Sequence, residues 1–125
     1  MSLPCNAIAV VVVDDDASFR SALAAILADD GHVVGQYGDL KDVQPAAMRA
    51  AQVVVIDYPM MASDGLSFAD SVHAAQPQTA IVLATAYWTV EIEAEVAARD
   101  FIQLCRKPID YDELHALVHQ LAAGR

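Results

Sequence analysis

No stretch of this chain is apolar for long enough to cross a bilayer, and Met1–Ala9 lacks the charged start of a signal peptide. The expectation is a cytoplasmic protein with no membrane contact. Cysteine is nearly absent. Cys5 and Cys105 stand far apart without metal-ligand spacing, so both read as reduced structural thiols rather than a disulfide or a zinc site. Positive charge is scarce too: seven Lys and Arg against seventeen Asp and Glu leave a net charge of −10. With no basic patch to displace counterions, direct binding to nucleic-acid phosphate is excluded. An acidic surface suits cations or basic partners and keeps a protein soluble. There is no glycine-rich phosphate loop and no Gly-x-Ser-x-Gly elbow, which removes nucleotide-hydrolase and serine-hydrolase readings. Internal repeats, low-complexity tracts and linkers are also missing.

What is present is an alternating pattern. The 125 residues are 56% apolar and 19% charged, enough for a single globular domain with a proper core. Ala7–Val13 is a continuous Val-rich run, the mark of a strand covered on both faces. Ser18–Ala28 follows with Phe19, Leu23, Ile26 and Leu27 at helical spacing, and Gly31 is placed to stop it. Further strands are expected over His32–Tyr37, Val53–Asp57, Ala80–Thr85 and Ile102–Lys107, with helices over Leu40–Ala50, Ser67–Ala75 and Glu91–Ala98. The last helix begins at a capping Asp110 with Glu113 in the capping-box position, and Leu114, Leu117, Val118 and Leu121 form its buried stripe. Five apolar strands alternating with five helices imply an α/β fold, a doubly wound five-stranded parallel sheet with helices on both faces. Ligands in such folds bind at the carboxyl ends of the strands, where strand order reverses.

Those strand ends carry a distinct set of residues. Strand one runs into Asp14-Asp15-Asp16, strand three ends on Asp57, strand four on Thr85 and strand five on Lys107-Pro108. Crowded carboxylates raise one another's pKa unless a cation is bound. Oxygen ligands at a partly open site suit Mg²⁺. A carboxylate is also a nucleophile toward phosphorus, giving an aspartyl-phosphate, while a metal and a lysine neutralise the transferring oxygens. A threonine hydroxyl can hydrogen-bond those oxygens.

In this order the motifs resemble the receiver domain of two-component response regulators, from about residue 8 to residue 121 of a single domain spanning 1–125. "VVVDDDASFR" resembles the family's first strand with its acidic pair at Asp14 and Asp15. "VVVIDYPMMASDG" resembles the phosphoacceptor strand and loop, with Asp57 as acceptor and Asp64-Gly65 at the expected spacing. "IVLATA" resembles the switch strand with Thr85 in the hydroxyl position, and "CRKP" the end of strand five with Lys107 and a candidate cis bond to Pro108. The resemblance implies strand order 2-1-3-4-5. It also implies Mg²⁺ (or Mn²⁺) held by Asp15, Asp57 and the backbone carbonyl of Pro59, with Asp14 acting through water. Thr85 and Lys107 would bind the phosphoryl oxygens. The donor would be a histidine kinase, a histidine phosphotransfer protein or a small phosphodonor. Thr85 would then move inward and reshape the face of helix four, strand five and helix five for an output domain, a downstream protein or a second copy of the chain.

Two departures stand out. The family's usual aromatic, three positions before the lysine, is Leu104 here, and Asp100-Phe101 replaces a glycine-alanine pair. Tyr87 or Trp88 is the expected substitute for the aromatic. The alternative is a pseudo-receiver, an interaction module without phosphorylation switching. A haloacid-dehalogenase-like phosphatase would want a second acid where this chain has Pro59. That proline lies two residues after the acceptor rather than four, so no polar side chain orients water there, and slow autonomous hydrolysis of the aspartyl-phosphate is expected. His115 and His119, one turn apart, read as the solvated face of the last helix rather than a metal site. His32 and His73 show no partner, and Met48, Met60 and Met61 read as packing.

Overall fold

The computed structural model describes residues 7–58 and 64–123. In chain order the elements are β1 (Ala9–Val13), α1 (Ala17–Asp29), β2 (Val33–Tyr37), a single 3-10 turn (Leu40–Asp42), α2 (Pro45–Ala50), β3 (Val53–Asp57), α3 (Gly65–Ala75), β4 (Ala80–Thr85), α4 (Val90–Ala97), β5 (Ile102–Arg106) and α5 (Tyr111–Ala123). Every strand pairing is parallel, and the order across the sheet is β2-β1-β3-β4-β5. This is the expected doubly wound architecture.

Position in the sheet explains why some strands read as unbroken apolar runs. The central strands β1, β3 and β4 are buried along almost their whole length, whereas the edge strands β2 and β5 are partly exposed. Alternate residues serve opposite faces. Val11, Val13, Val54 and Ile56 pack with Leu66, Val72 and Ile92 of α3 and α4. Val10, Val12, Val53 and Val55 pack with Leu23, Leu27, Leu114 and Val118 of α1 and α5. Each such side chain contributes about 1.5–3 kcal/mol by leaving water. Two cores therefore clamp the sheet and fix its register, because a one-residue slip would exchange their contents.

Helix ends follow local chemistry. Asp16 accepts the Phe19 N–H at 3.1 Å, so it caps α1 as its place in the sequence suggests. Gly31 follows that helix with φ of +94°, a conformation that suits glycine. Asp110 accepts the N–H groups of Asp112 and Glu113 at the start of α5. Leu114 and Val118 are fully buried there, with Leu117 and Leu121 half-buried beside them.

One helix differs from expectation. Instead of one helix over Leu40–Ala50, the chain makes the 3-10 turn, capped by Asp39, and starts α2 only at Pro45. Proline has no N–H to give and pushes the residue before it out of the helical region; Gln44 accordingly sits at φ −69°, ψ 133°. α3 begins earlier than expected, at Gly65, because Asp64 caps it. A Cβ on Gly65 would stand 3.3 Å from Ile56 Cγ2, so glycine lets this helix start close against β3. Among the described residues, no helix is long and apolar enough to cross a membrane.

Candidate functional site

Strand order reverses between β1, which turns toward β2, and β3, which turns toward β4 and β5. A crevice is expected at the carboxyl ends of β1 and β3, and there the chain places Asp14, one residue past β1, and Asp57, the last residue of β3. Both are buried, at 2% and 9% exposure, and Asp15 beside them is exposed. Asp14, Asp15 and Asp57 each offer a carboxylate oxygen within 4.8 Å of the others.

Lys107, just beyond β5, crosses the sheet edge to reach this group. Its Nζ donates to Asp57 Oδ1 at 2.6 Å and to Asp14 Oδ2 at 2.9 Å. The Phe19 ring of α1 lies under the same ammonium at 4.4 Å, a cation–π contact. Burial raises the Asp57 carboxyl above the usual carboxylate range, the Lys107 hydrogen bond opposes that rise, and Asp14 adds to it. Burial by itself would lower Lys107, but its hydrogen bonds to Asp57 and Asp14 prevail and the shift is upward.

Asp14 is braced from several sides. Its Oδ1 accepts the Asp16 N–H at 2.9 Å, and its N–H donates to the Tyr37 carbonyl at 3.1 Å. Its own carbonyl accepts Arg20 Nη1 at 2.7 Å. Arg20 reaches Gln36 as well and passes so close to Gly38 that a Cβ there would sit 3.2 Å from Nη1. Neither Arg20 nor Phe19 stands out in the sequence as part of the site. The signal available was their position in the first turn of α1, directly after the acidic run.

Thr85, the last residue of β4, is fully buried, and its Oγ1 accepts the Tyr87 N–H at 3.0 Å. Its carbonyl accepts the Lys107 N–H at 2.8 Å, which ties the ends of β4 and β5 together. The Lys107–Pro108 bond is cis. Of the two aromatics after Thr85, Tyr87 is 71% exposed. Trp88 is held instead: its Nε1 donates to Glu93 of α4, and the Arg106 guanidinium lies over its ring at 4.4 Å. Leu104 is half-buried and packs against the core. Trp88, Leu104, Arg106, Pro108 and Leu117 wall an open groove of about 590 Å³. Pro59, expected to offer its carbonyl to a metal, lies outside the described residues, as do Met60 and Met61. Asp64 spends its carboxylate on α3, accepting the N–H groups of Leu66 and Ser67 and the Ser67 hydroxyl, which hold its pKa below the usual value.

The donor set fits a small divalent cation. Three carboxylates against one ammonium leave two net negative charges, and every candidate ligand atom is oxygen. The structure therefore brings together Asp14, Asp15, Asp57, Thr85 and Lys107 at one sheet edge.

The histidines are placed otherwise than the sequence suggests. His115 and His119 are half-buried, turned toward Asp30 at the end of α1 rather than solvated, because α5 packs against that helix. His32 is buried and accepts the Ile8 N–H. His73 stacks on Phe101 with centroids 3.9 Å apart, so the Asp100-Phe101 departure supplies a packing partner for α3. Cys105 is a free thiol whose pKa is pushed up by burial and by Glu113.

The fold and the site can be set beside known proteins. The receiver domain of the CheY-like response regulator from Methanospirillum hungatei superposes with a TM-score of 0.82 at 16% identity, covering 92% of this chain and 93% of that one. The transcriptional regulatory protein ZraR of Escherichia coli is 27% identical over 115 residues, 91% of this chain and 26% of that protein. A protein-glutamate methylesterase/protein-glutamine glutaminase of Anaeromyxobacter dehalogenans is 39% identical over 83 residues, 62% of this chain and 23% of that protein. The chain thus spans about a quarter of the length of these curated relatives. The family model for the response regulator receiver domain matches residues 10–119. By that match, this chain belongs to the response regulator receiver domain family.

Proposed function

We propose that this signalling domain accepts a phosphoryl group on Asp57. The observation that carries the reading is the single ammonium of Lys107 bridging the buried Asp57 and Asp14 carboxylates. An Asp57 oxygen forms the new P–O bond as the P–N bond of a donor phosphohistidine breaks, and the donor imidazole leaves with the electron pair. Lys107 neutralises charge on the transferring oxygens, and the Thr85 hydroxyl exchanges the Tyr87 N–H for a phosphoryl oxygen. Asp15, Asp57 and the Pro59 carbonyl would hold Mg²⁺ or Mn²⁺, with Asp14 acting through water. When bound, the ion supplies further neutralisation of the phosphoryl oxygens.

A histidine kinase or histidine phosphotransfer protein is the donor that this reading calls for, with the whole chain, residues 1–125, acting as one receiver unit. Its output passes through α4, β5 and α5 to an output domain, a downstream protein or a second copy. Trp88, pinned between Glu93 and Arg106, takes the place of the aromatic that Leu104 does not provide, and Pro108 borders the same groove. The test is incubation with Mg²⁺ and acetyl phosphate, read by intact mass. An adduct of one phosphoryl group that disappears in Asp57→Asn supports the reading. Absence of any adduct in the parent chain makes it a pseudo-receiver, and turnover of unrelated phosphoesters makes it a phosphatase.

A further inference from the structure

An ammonium has three N–H groups, and three different partners stand around that of Lys107. Nζ reaches Asp57 Oδ1 at 2.6 Å and Asp14 Oδ2 at 2.9 Å, and the centre of the Phe19 ring lies 4.4 Å away. The Lys107 side chain is 16% exposed, so these contacts are made largely out of water. A ring face attracts a cation through its quadrupole, and does so most strongly where water is excluded. It brings no oxygen of its own, so it holds the charge without drawing it away from the two carboxylates.

One side of this arrangement is built locally. Asp14 Oδ1 accepts the Asp16 N–H, and Asp16 Oδ1 accepts the Phe19 N–H at the start of α1. The turn from β1 into α1 thus sets an acid and a ring around one ammonium, which comes from 93 positions beyond Asp14. Phe19 is half-buried and packs against the core that holds Leu23 and Leu27, which anchors the ring. The three partners respond differently to phosphoryl transfer. As an Asp57 oxygen bonds to phosphorus, the donor's leaving group departs with the electron pair of the bond that breaks. Asp57 then loses its carboxylate charge, and its ion pair with Lys107 weakens. The negative charge sits on the phosphoryl oxygens, further out from β3. Asp14 is shared with the cation this site would hold, whereas the charge and bonding of the Phe19 ring stay the same throughout.

We propose that Phe19 is a positioning residue for phosphoryl transfer. Its ring face holds the Lys107 ammonium at the crevice while that ammonium passes from the Asp57 carboxylate to the phosphoryl oxygens. The role rests on the phosphoacceptor reading of Asp57. It differs from packing, because Lys107 needs the aromatic face and not the volume of the side chain. Leucine here would keep the apolar contact with the core and lose the face, whereas tyrosine would keep both.

Lys41 and Lys107 are the only lysines in the sequence, so this ammonium can be read directly. Full chain carrying ¹³C-labelled lysine gives two sets of ε-methylene signals by NMR, and Lys41→Arg removes the set that is not Lys107. Protons over a ring face are shifted upfield by the ring current. The Lys107 ε-methylene protons are therefore expected upfield of those of Lys41, a displacement that should vanish in Phe19→Leu and persist in Phe19→Tyr. With Mg²⁺ and acetyl phosphate, the rate of Asp57 labelling, followed by intact mass, should fall about three- to tenfold in Phe19→Leu, the loss expected of one desolvated cation–π contact. It should recover to within about twofold of the parent in Phe19→Tyr. Near-ultraviolet circular dichroism establishes that each variant is folded, and the signal of the parent chain decides the contact without any variant. A Lys107 signal that is not upfield, or that does not move in Phe19→Leu, would overturn the proposal. So would a labelled parent matched in rate by Phe19→Leu, or a Phe19→Tyr variant as slow as Phe19→Leu. A parent chain that takes no label removes the phosphoacceptor reading and this role with it, even where the upfield signal stands.

Discussion

The two edges of the sheet keep their carboxylates in opposite company, largely buried at one and exposed at the other. At the carboxyl edge, Asp14, Asp15 and Asp57 share one ammonium. At the amino edge, Asp30 stands alone among three imidazoles. The consequences differ in sign. Asp57 has its pKa raised, chiefly by burial, whereas Asp30 is lowered, chiefly by its hydrogen bond with His119. The carboxyl edge is short of positive charge and is incomplete by the measure of electrostatics alone. A carboxyl shifted by burial and by a specific charged partner, at the crevice of the sheet, marks a candidate functional site.

The largest effect should come from removing the shared cation. Lys107→Ala leaves Asp57 and Asp14 buried without their partner, and should destabilise the metal-free protein by about 1–3 kcal/mol in urea unfolding. It should also suppress acetyl-phosphate labelling. If stability were unchanged, the shortage of positive charge at this edge would be illusory.

Removing a carboxylate should do the reverse. Because the folded Asp57 carboxyl holds its proton more tightly than the unfolded one, its favourable contribution exists below about pH 4 and is lost as pH rises through its folded pKa. Asp57→Asn should therefore raise the melting temperature by a few degrees at neutral pH without metal, and the gain should fade in acid. A lower melting temperature at neutral pH would mean that the Lys107 ion pair outweighs burial.

Much of this edge was legible in the sequence because strand ends are local facts. A valine run that stops on Asp57, and a Lys107-Pro108 pair after a fifth strand, announce themselves without knowledge of packing. Bracing residues do not. Arg20 looks like any helix arginine until β2 brings Gln36 and Gly38 beside it. Phe19 reads as core until Lys107 crosses above it. The amino edge was hidden for the same reason, since Asp30 and His119 meet only when α5 lies on α1. Pro45 was local and readable, and its effect on the Leu40–Ala50 segment shows a single residue overriding weak helical periodicity.

Smaller substitutions sharpen the contrast. Arg20→Ala removes the 2.7 Å bond to the Asp14 carbonyl and should cost about 1 kcal/mol, with weaker Mg²⁺ binding measured by Trp88 fluorescence. Arg99→Ala, at the amino edge, breaks the Asp70 and Glu95 pairs, which are partly exposed, and should cost only about 0.5 kcal/mol, less in high salt. Comparable losses from the two arginines would erase the distinction between a part-buried brace and a surface pair.

The central claim is that Asp57 carries the phosphoryl group, and chemical trapping tests it most directly. Borohydride reduces an aspartyl-phosphate to homoserine. After treatment with Mg²⁺ and acetyl phosphate, reduction and proteolysis, peptide mass spectrometry should find homoserine at position 57. Homoserine at Asp14, Asp15 or Asp16 instead, or at no position, would contradict the account.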